Sequence, residues 1–299
     1  MLLFAFGACV GCTAVQPAAV DSQPSDRKVV RVYLLSGQSN MQGSGVIDQL
    51  PDPWRQPIEG AYFFADGRFG VLTPGATPLN GRQRFGPELG FARAMRSAEP
   101  EHEIYIIKFA RSGQPLHAGW DGNQWAGAEP APGRKTFYPG LTPDDPNIGK
   151  HYRDQMRHVR AGFDAIRELG LEPSLTGVVW MQGEQDAKHA VSATQYAQSL
   201  GRFKARIEED LGSEPVPFVF GQVLPHEPAL ARFTHRAQCR QAMANADQDS
   251  GHADAISGCV MVPTEAMVLL KDTVHYSTEG QQTLGMAFAV AMIDAHSHE

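Results

Sequence analysis

The chain has 299 residues, 42% of them apolar, enough to bury a substantial core in one large domain or two small ones. Lysine and arginine number 26 against 33 acidic residues, a formal net charge of −7, and no basic block stands out. Clustered positive charge of the kind that neutralises phosphates is missing, so no nucleic-acid partner is expected.

Residues 1–28 read as a leader and linker. The opening "MLLFAFGACVGCTAVQPAAVDSQPSD" holds an apolar run, Leu2 to Val10, too short to span a bilayer as a helix but suited to the core of a bacterial-type export signal. No lysine or arginine precedes that run. Cys9 and Cys12 follow small residues, as in the lipid-attachment box of bacterial lipoproteins, so a lipid anchor is the narrower alternative to periplasmic or secreted export. Two more cysteines, Cys239 and Cys259, are open to either a disulfide or a pair of buried thiols.

From Val29 the chain alternates two patterns. "VVRVYLLSG" at 29–37, "EIYIIKFA" from Glu103, "SLTGVVWMQG" from Ser174 and "PVPFVFGQV" from Pro215 are short β-branched and aromatic runs that predict strands. Between them, helices are predicted over Glu88–Arg96, over the series Tyr152, Met156, Val159, Phe163, Ile166 ending at Gly170, and over Tyr196, Leu200, Phe203, Ile207, Leu211 ending at Gly212. Further helices are expected over Ala229–Asn245 and Gly280–Ala295. Alternation of this kind implies a central parallel sheet covered on both faces, a three-layer α/β/α sandwich. No repeat or linker divides residues 29–299, which are read as one domain.

Ligands of such folds bind beyond the C-terminal strand ends, where Ser39, Ser112 and Gln182 each follow one of the first three apolar runs. The segment Ser112–Gly149 is a long Gly/Pro-rich loop with Trp120, Trp125, Phe137 and Tyr138. Its tryptophans could line a sugar-binding rim or merely pin the loop down.

Ser39, in "LLSGQSNMQG", raises the question of a nucleophile. A serine hydroxyl needs an adjacent base that is itself oriented by a third group. "LLKDTVHYSTEGQ" supplies both: Asp272 and His275 are three residues apart, so the carboxylate can accept the Nδ1 proton while Nε2 points at a serine. Of the other histidines, His296 and His298 sit at the C-terminus, His151 and His158 on a predicted helix, and His102 among surface charges. His117, His226, His235 and His252 lack a comparably placed carboxylate. His189 follows Glu184 and Asp186, a group that could ligate a metal, but no second cluster completes a site and no metal is expected. The elbow G-x-S-x-G of the α/β-hydrolases fits poorly, because Met41 stands two residues after the serine.

"GQSNMQG" at 37–43, "WMQGEQDA" at 180–187 and "DTVHYSTEGQ" at 272–281 together resemble the signature blocks of the SGNH hydrolases, specifically carbohydrate esterases of the sialate O-acetylesterase-like and acetylxylan esterase type. "FGPELGFARAM", "IIKFARSGQPLHAGW" and "PFVFGQV" fit the intervening segments, so the resemblance runs from about Val29 to Met292. It implies a flavodoxin-like sandwich, no cofactor, and hydrolysis of acetyl esters on carbohydrate substrates. By position it makes Ser39 the nucleophile, His275 the general base and Asp272 its orienting partner, with an oxyanion hole from Ser39, Gly113 and Gln182. In this chain Ser112, Gly113 and Gln114 stand where such esterases usually carry Gly-Gly-Thr. Glu184 and Asp186 are expected to brace the Gln182 loop. Glu184, with Gln38 and Asn40 beside the serine and the loop tryptophans Trp120 and Trp125, also makes up the set of candidate substrate contacts. The alternatives are a non-catalytic carbohydrate-binding protein on the same scaffold and a short-chain acyl esterase or lipase of the same superfamily.

Overall fold

The computed structural model describes residues 27–79 and 82–297; the leader expected over residues 1–28 lies outside them but for its last two residues. A seven-stranded sheet forms the middle layer, built from β1 (Val29–Gly37), β2 (Ile58–Ala65), β3 (Arg68–Leu72), β4 (Ile104–Ala110), β5 (Glu172–Met181), β6 (Phe218–Gly221) and β7 (Cys259–Val262). Their order across the sheet is β7-β6-β5-β1-β4-β2-β3. All neighbours are parallel except β2 and β3, which form a hairpin.

Alternation along the central strands sends side chains to two covered faces. On β1, Tyr33 meets Phe91 with ring centroids 5.3 Å apart, while Ser36, of opposite parity, donates to Gln155 at 2.5 Å. Phe91 lies on α2 (Glu88–Ala98) and Gln155 on α3 (Lys150–Glu168), so these helices cover opposite faces. β5 repeats the division: Gly177 approaches Met292, and Trp180 packs on Phe203 at 4.5 Å. Met292 belongs to α7 (Thr278–Ser297) and Phe203 to α5 (Tyr196–Leu211). Helices α2 and α7 cross so closely that a Cβ on Gly285 would stand 2.1 Å from the Pro87 carbonyl oxygen, and one on Gly90 would stand 2.2 Å from that of Gln282.

Taken without the β2–β3 hairpin, the parallel strands follow the flavodoxin-like order 2-1-3-4-5, and the hairpin extends the edge beyond β4. β1 therefore sits at the switch point, with β4 on one side and β5 on the other. The loops leaving these three strands diverge and open a crevice at their C-terminal ends.

Four of the seven strands coincide with the runs read from sequence. The hairpin was not among them, although Asp66-Gly67 at its tip, with φ of +50° and +77°, is a common two-residue turn signal. β7 was also missed. The predicted helix from Ala229 begins only at Arg236, as α6 (Arg236–Ala246); before it the chain turns twice, Phe233 N–H bonding to Leu230 and Arg236 N–H to Phe233, which seats Phe233 in the core. Cys239 and Cys259 are both free and buried, so no bond joins α6 to β7.

The long loop from Ser112 to Gly149 is an ordered wall. A small hairpin pairs Trp120–Asp121 with Gln124–Trp125, and the Arg134 guanidinium donates to the carbonyls of Ala118, Ala126, Gly127 and Glu129. Phe137 inserts from this loop against Trp180, ring centroids 5.3 Å apart.

Candidate active site

β1 ends at Gly37, whose φ of +146° and proximity to β5 leave no room for a side chain: a Cβ there would lie 2.1 Å from the Met181 oxygen. The chain then turns through Gln38, whose N–H donates to Met181 O at 2.9 Å, into the one-turn helix α1 (Ser39–Gln42). Ser39 opens this helix and is half-buried.

Far along the chain, the segment before α7 folds back on itself. Leu270 N–H donates to His275 O at 2.7 Å and Ser277 N–H to Val268 O at 2.9 Å. Within this loop Asp272 Oδ1 accepts the N–H groups of Val274 and His275, each at 2.9 Å, and Oδ2 lies 2.6 Å from His275 Nδ1. Nε2 of the same ring lies 2.9 Å from Ser39 Oγ. Three residues drawn from opposite ends of the chain thus form one continuous hydrogen-bonded path. Burial works to raise the Asp272 pKa, but the hydrogen bonds from His275 and Val274 outweigh it and hold the carboxyl below its usual range. Its retained negative charge favours a proton on Nδ1 and leaves Nε2 as acceptor for the serine.

Asn40 joins the two halves of this path. Its Nδ2 donates to Val274 O at 3.0 Å and its Oδ1 accepts from Tyr276 N–H at 3.2 Å, so it grips the residues on both sides of His275. Nδ2 also donates to Glu184 Oε1 at 2.8 Å. The sequence placed Gln38, Asn40 and Glu184 among substrate contacts; the fold corrects this. They are 3%, 1% and 2% exposed; Asn40 and Glu184 bond each other, and the Gln38 side-chain oxygen accepts the Gln185 N–H at 3.4 Å.

Gln182 is likewise corrected. It is fully buried, and its amide nitrogen donates to Asp186 Oδ2 at 2.6 Å and to Gln114 O at 3.1 Å. Both hydrogens are engaged, so none is left for an oxyanion. Asp186 also accepts the N–H groups of Leu116 and His117, tying the loop after β5 to the loop after β4. The N–H groups of Ser39 and Gly113, by contrast, have no acceptor among the described residues.

The tryptophans do not form an open sugar platform. Trp120 is 4% exposed and donates its indole N–H to Ser192, on the short helix α4 (Ala190–Thr194). Trp125 is half-buried and lies flat on His189, centroids 3.5 Å apart, which covers one ring face.

Glu184 is a buried carboxyl whose Oε2 has no partner, and burial raises its pKa, as it does that of nearby Asp186. A carboxyl raised in the fold binds its proton more tightly there than in the unfolded chain. The resulting stabilisation is full below the unfolded carboxyl pKa, about 4.3, and is lost as pH rises through the folded value. Glu184→Gln keeps the oxygen that Asn40 needs and carries no charge at any pH. Relative to this variant the native protein is expected to lose about 1–3 kcal/mol as pH rises from acid to mildly alkaline, the cost of an incompletely partnered buried group. Urea unfolding of both proteins across that range checks it; parallel stability curves would contradict it.

Beside Ser39 opens a cavity of about 730 Å³ lined by Ser39, Gln42, Gly43, Ser44, Arg84, Ala110, Arg111, Ser112, Leu270 and His275. Gly113, one residue beyond, lines a neighbouring depression with Asp121 and Lys135. Arg84 and Arg111 were not read from sequence as site residues. The place of Arg111 directly after the β4 run, where Ser39 and Gln182 follow β1 and β5, was the available signal. Beneath α1 lies a further unread feature, the ion pair Lys108–Glu88 at 2.6 Å, with side chains 2% and 1% exposed. Lys108 also donates to Gln42 O at 3.1 Å, the last residue of the helix that Ser39 opens. Among the described residues no group of three or more His, Cys, Asp or Glu side chains is placed to hold a metal ion.

Solved structures share this architecture. A protein from Arabidopsis thaliana matches with a TM-score of 0.65 at 19% identity, covering 88% of this chain and 98% of that one. NanS matches with a TM-score of 0.59 at 16% identity, over 92% of this chain and 99% of its own. A carbohydrate acetylesterase from Xanthomonas citri matches with a TM-score of 0.54 at 16% identity, over 90% of this chain and 57% of its own. At these identities the likeness establishes the fold. No curated protein is similar enough to this chain to count as a relative. The family model described as carbohydrate esterase, sialic acid-specific acetylesterase, matches residues 29–294. With nearly every residue of the sandwich inside that match, the chain belongs to this family of carbohydrate esterases.

Proposed function

We propose that the protein hydrolyses acetyl esters carried on sugar hydroxyls through an acetyl-enzyme formed on Ser39. The observation that carries this reading is the path Ser39–His275–Asp272, with spacings of 2.9 and 2.6 Å, opening onto a cavity large enough for a sugar residue.

In the first half-reaction Ser39 Oγ attacks the acetyl carbonyl carbon as His275 Nε2 takes its proton, and Asp272 stabilises the imidazolium that forms. The carbonyl oxygen becomes an oxyanion. The N–H groups of Ser39 and Gly113, neither engaged elsewhere among the described residues, are the donors assigned to it. Collapse breaks the bond to the sugar oxygen, which leaves with the proton held by His275. Water then gives its proton to the same nitrogen while attacking the acetyl carbon; the Ser39–acetyl bond breaks, Ser39 regains the proton, and acetate departs. Ala110 and Leu270 supply the apolar part of the cavity wall, in keeping with a short acyl group.

The test is acetate release from acetylated sugars, together with a series of p-nitrophenyl esters from acetyl to octanoyl. Acetate release with turnover falling along the series is expected. Binding of glycans with no acetate released from any of them would leave only a carbohydrate-binding role, and a preference for octanoyl would indicate a lipase-like pocket.

A further inference from the structure

We propose that the hairpin carrying Trp120 and Trp125 forms, with Lys135, a second sugar subsite that takes the neutral sugar linked to the acetylated residue, so that the preferred substrates are oligosaccharides rather than acetylated monosaccharides. The inference rests on the esterase reading and adds the length of the substrate.

The subsite is a depression of about 490 Å³, within the range of about 300–1,000 Å³ common to small-molecule clefts. Ser112 lines both this depression and the cavity that holds Ser39 and His275, so the two adjoin. Gly113 stands at the junction with φ of +68°, and a Cβ there would meet nothing within 4 Å. The way past the assigned oxyanion donor is therefore open. A glycan with its acetylated residue against Ser39 has room to place the next residue beyond Gly113.

Strand alternation decides what the depression offers. Trp120 pairs with Trp125, and Asp121 with Gln124. The tryptophans turn inward, Trp120 to Ser192 and Trp125 onto His189, which sends Asp121 and Gln124 to the outer face. Asn123, at the turn, is exposed as they are. The hairpin is tied to the chain beside it: Gly122 N–H donates to Lys135 O, and Lys135 N–H donates to Asp121 Oδ1, both at 3.1 Å. These bonds fix the wall while leaving the Asn123 and Gln124 amides, Asp121 Oδ2 and the Lys135 ammonium to a ligand. Apart from two glycines, every lining residue is polar or charged. An acyl chain would find no apolar contact there, whereas sugar hydroxyls, each both donor and acceptor, match such a set. One carboxylate and one ammonium balance each other, which suits a neutral sugar better than an acidic one.

The experiment measures kcat/KM for acetate release from mono-O-acetylated xylose against mono-O-acetylated xylobiose, and from O-acetylated N-acetylglucosamine against its β-linked disaccharide. It uses the full chain and the variants Asn123→Ala/Gln124→Ala, Lys135→Ala and Lys135→Arg. The native protein is expected to favour the disaccharide by about tenfold or more in at least one series, mainly through KM. The double alanine variant and Lys135→Ala each lower that ratio toward unity, and Lys135→Arg keeps most of it. A native ratio at or below unity in both series, or a ratio unmoved in all three variants, overturns the subsite. Calorimetric titration of unacetylated xylose, xylobiose, N-acetylglucosamine and its disaccharide into the same proteins is independent of turnover. Should no acetate be released from any ester, the esterase reading fails, while tighter binding of a disaccharide that weakens in the alanine variants would still support the subsite and equal binding of one and two sugars would overturn it.

Discussion

Ser39→Ala is expected to remove acetate release almost completely, lowering kcat about ten-thousandfold or more, since the members of a serine–histidine–carboxylate unit act together. The geometry makes the expectation specific. Ser39 Oγ contacts Nε2 of His275 at 2.9 Å, and the turn that presents it is held by backbone bonds and by Asn40, none of which involve the hydroxyl. The variant should therefore fold with native stability and circular dichroism, and bind the same sugars. His275→Ala should cost a similar factor, and the double variant little more than either single one. Residual turnover within tenfold of native in Ser39→Ala, with the fold intact, would remove the nucleophile assignment.

Lys108→Met carries the largest expected effect on stability, about 3–5 kcal/mol, because it leaves a buried carboxylate without its cation. Glu88 and Lys108 are 1% and 2% exposed at the side chain, and desolvation is the main influence on Lys108, lowering its pKa. Both Glu88 oxygens also accept the Gly86 N–H, at 2.9 and 3.1 Å. In Lys108→Met/Glu88→Gln the charge disappears while the acceptor for Gly86 is kept, and most of the stability should return. Activity should not return in step, since Gln42 O at the end of α1 has lost its donor in both variants. Urea midpoints and acetate release on the two proteins separate these contributions. A double variant as unstable as the single one would mean that lost packing, not the stranded charge, dominates.

Both predictions depend on contacts that differ in how far they were legible from sequence. Asp272 and His275 are three residues apart, so their pairing is local, and Ser39 follows an apolar run that buries on both sides. Residue type and short spacing carried those assignments. Lys108 sits inside "EIYIIKFA" without a visible partner, because Glu88 reaches it only when α2 packs against β4.

What the sequence determined by itself was the alternation of strand and helix, the parallel sheet that follows from it, and the chemistry-bearing residues at strand ends, since each is governed by local periodicity or by spacing within a single turn. The tertiary structure decided which of those residues face the crevice. Asn40 and Gln182 lie next to or among the site blocks, yet both point into protein, one gripping the chain on either side of His275 and the other bridging the loops after β4 and β5. Arg84 and Arg111 meet at the cavity from segments that no short-range pattern connects. The direction of a buried polar side chain is set by whichever partner the packed sheet and its loops bring within hydrogen-bond distance, and that partner is usually remote in sequence.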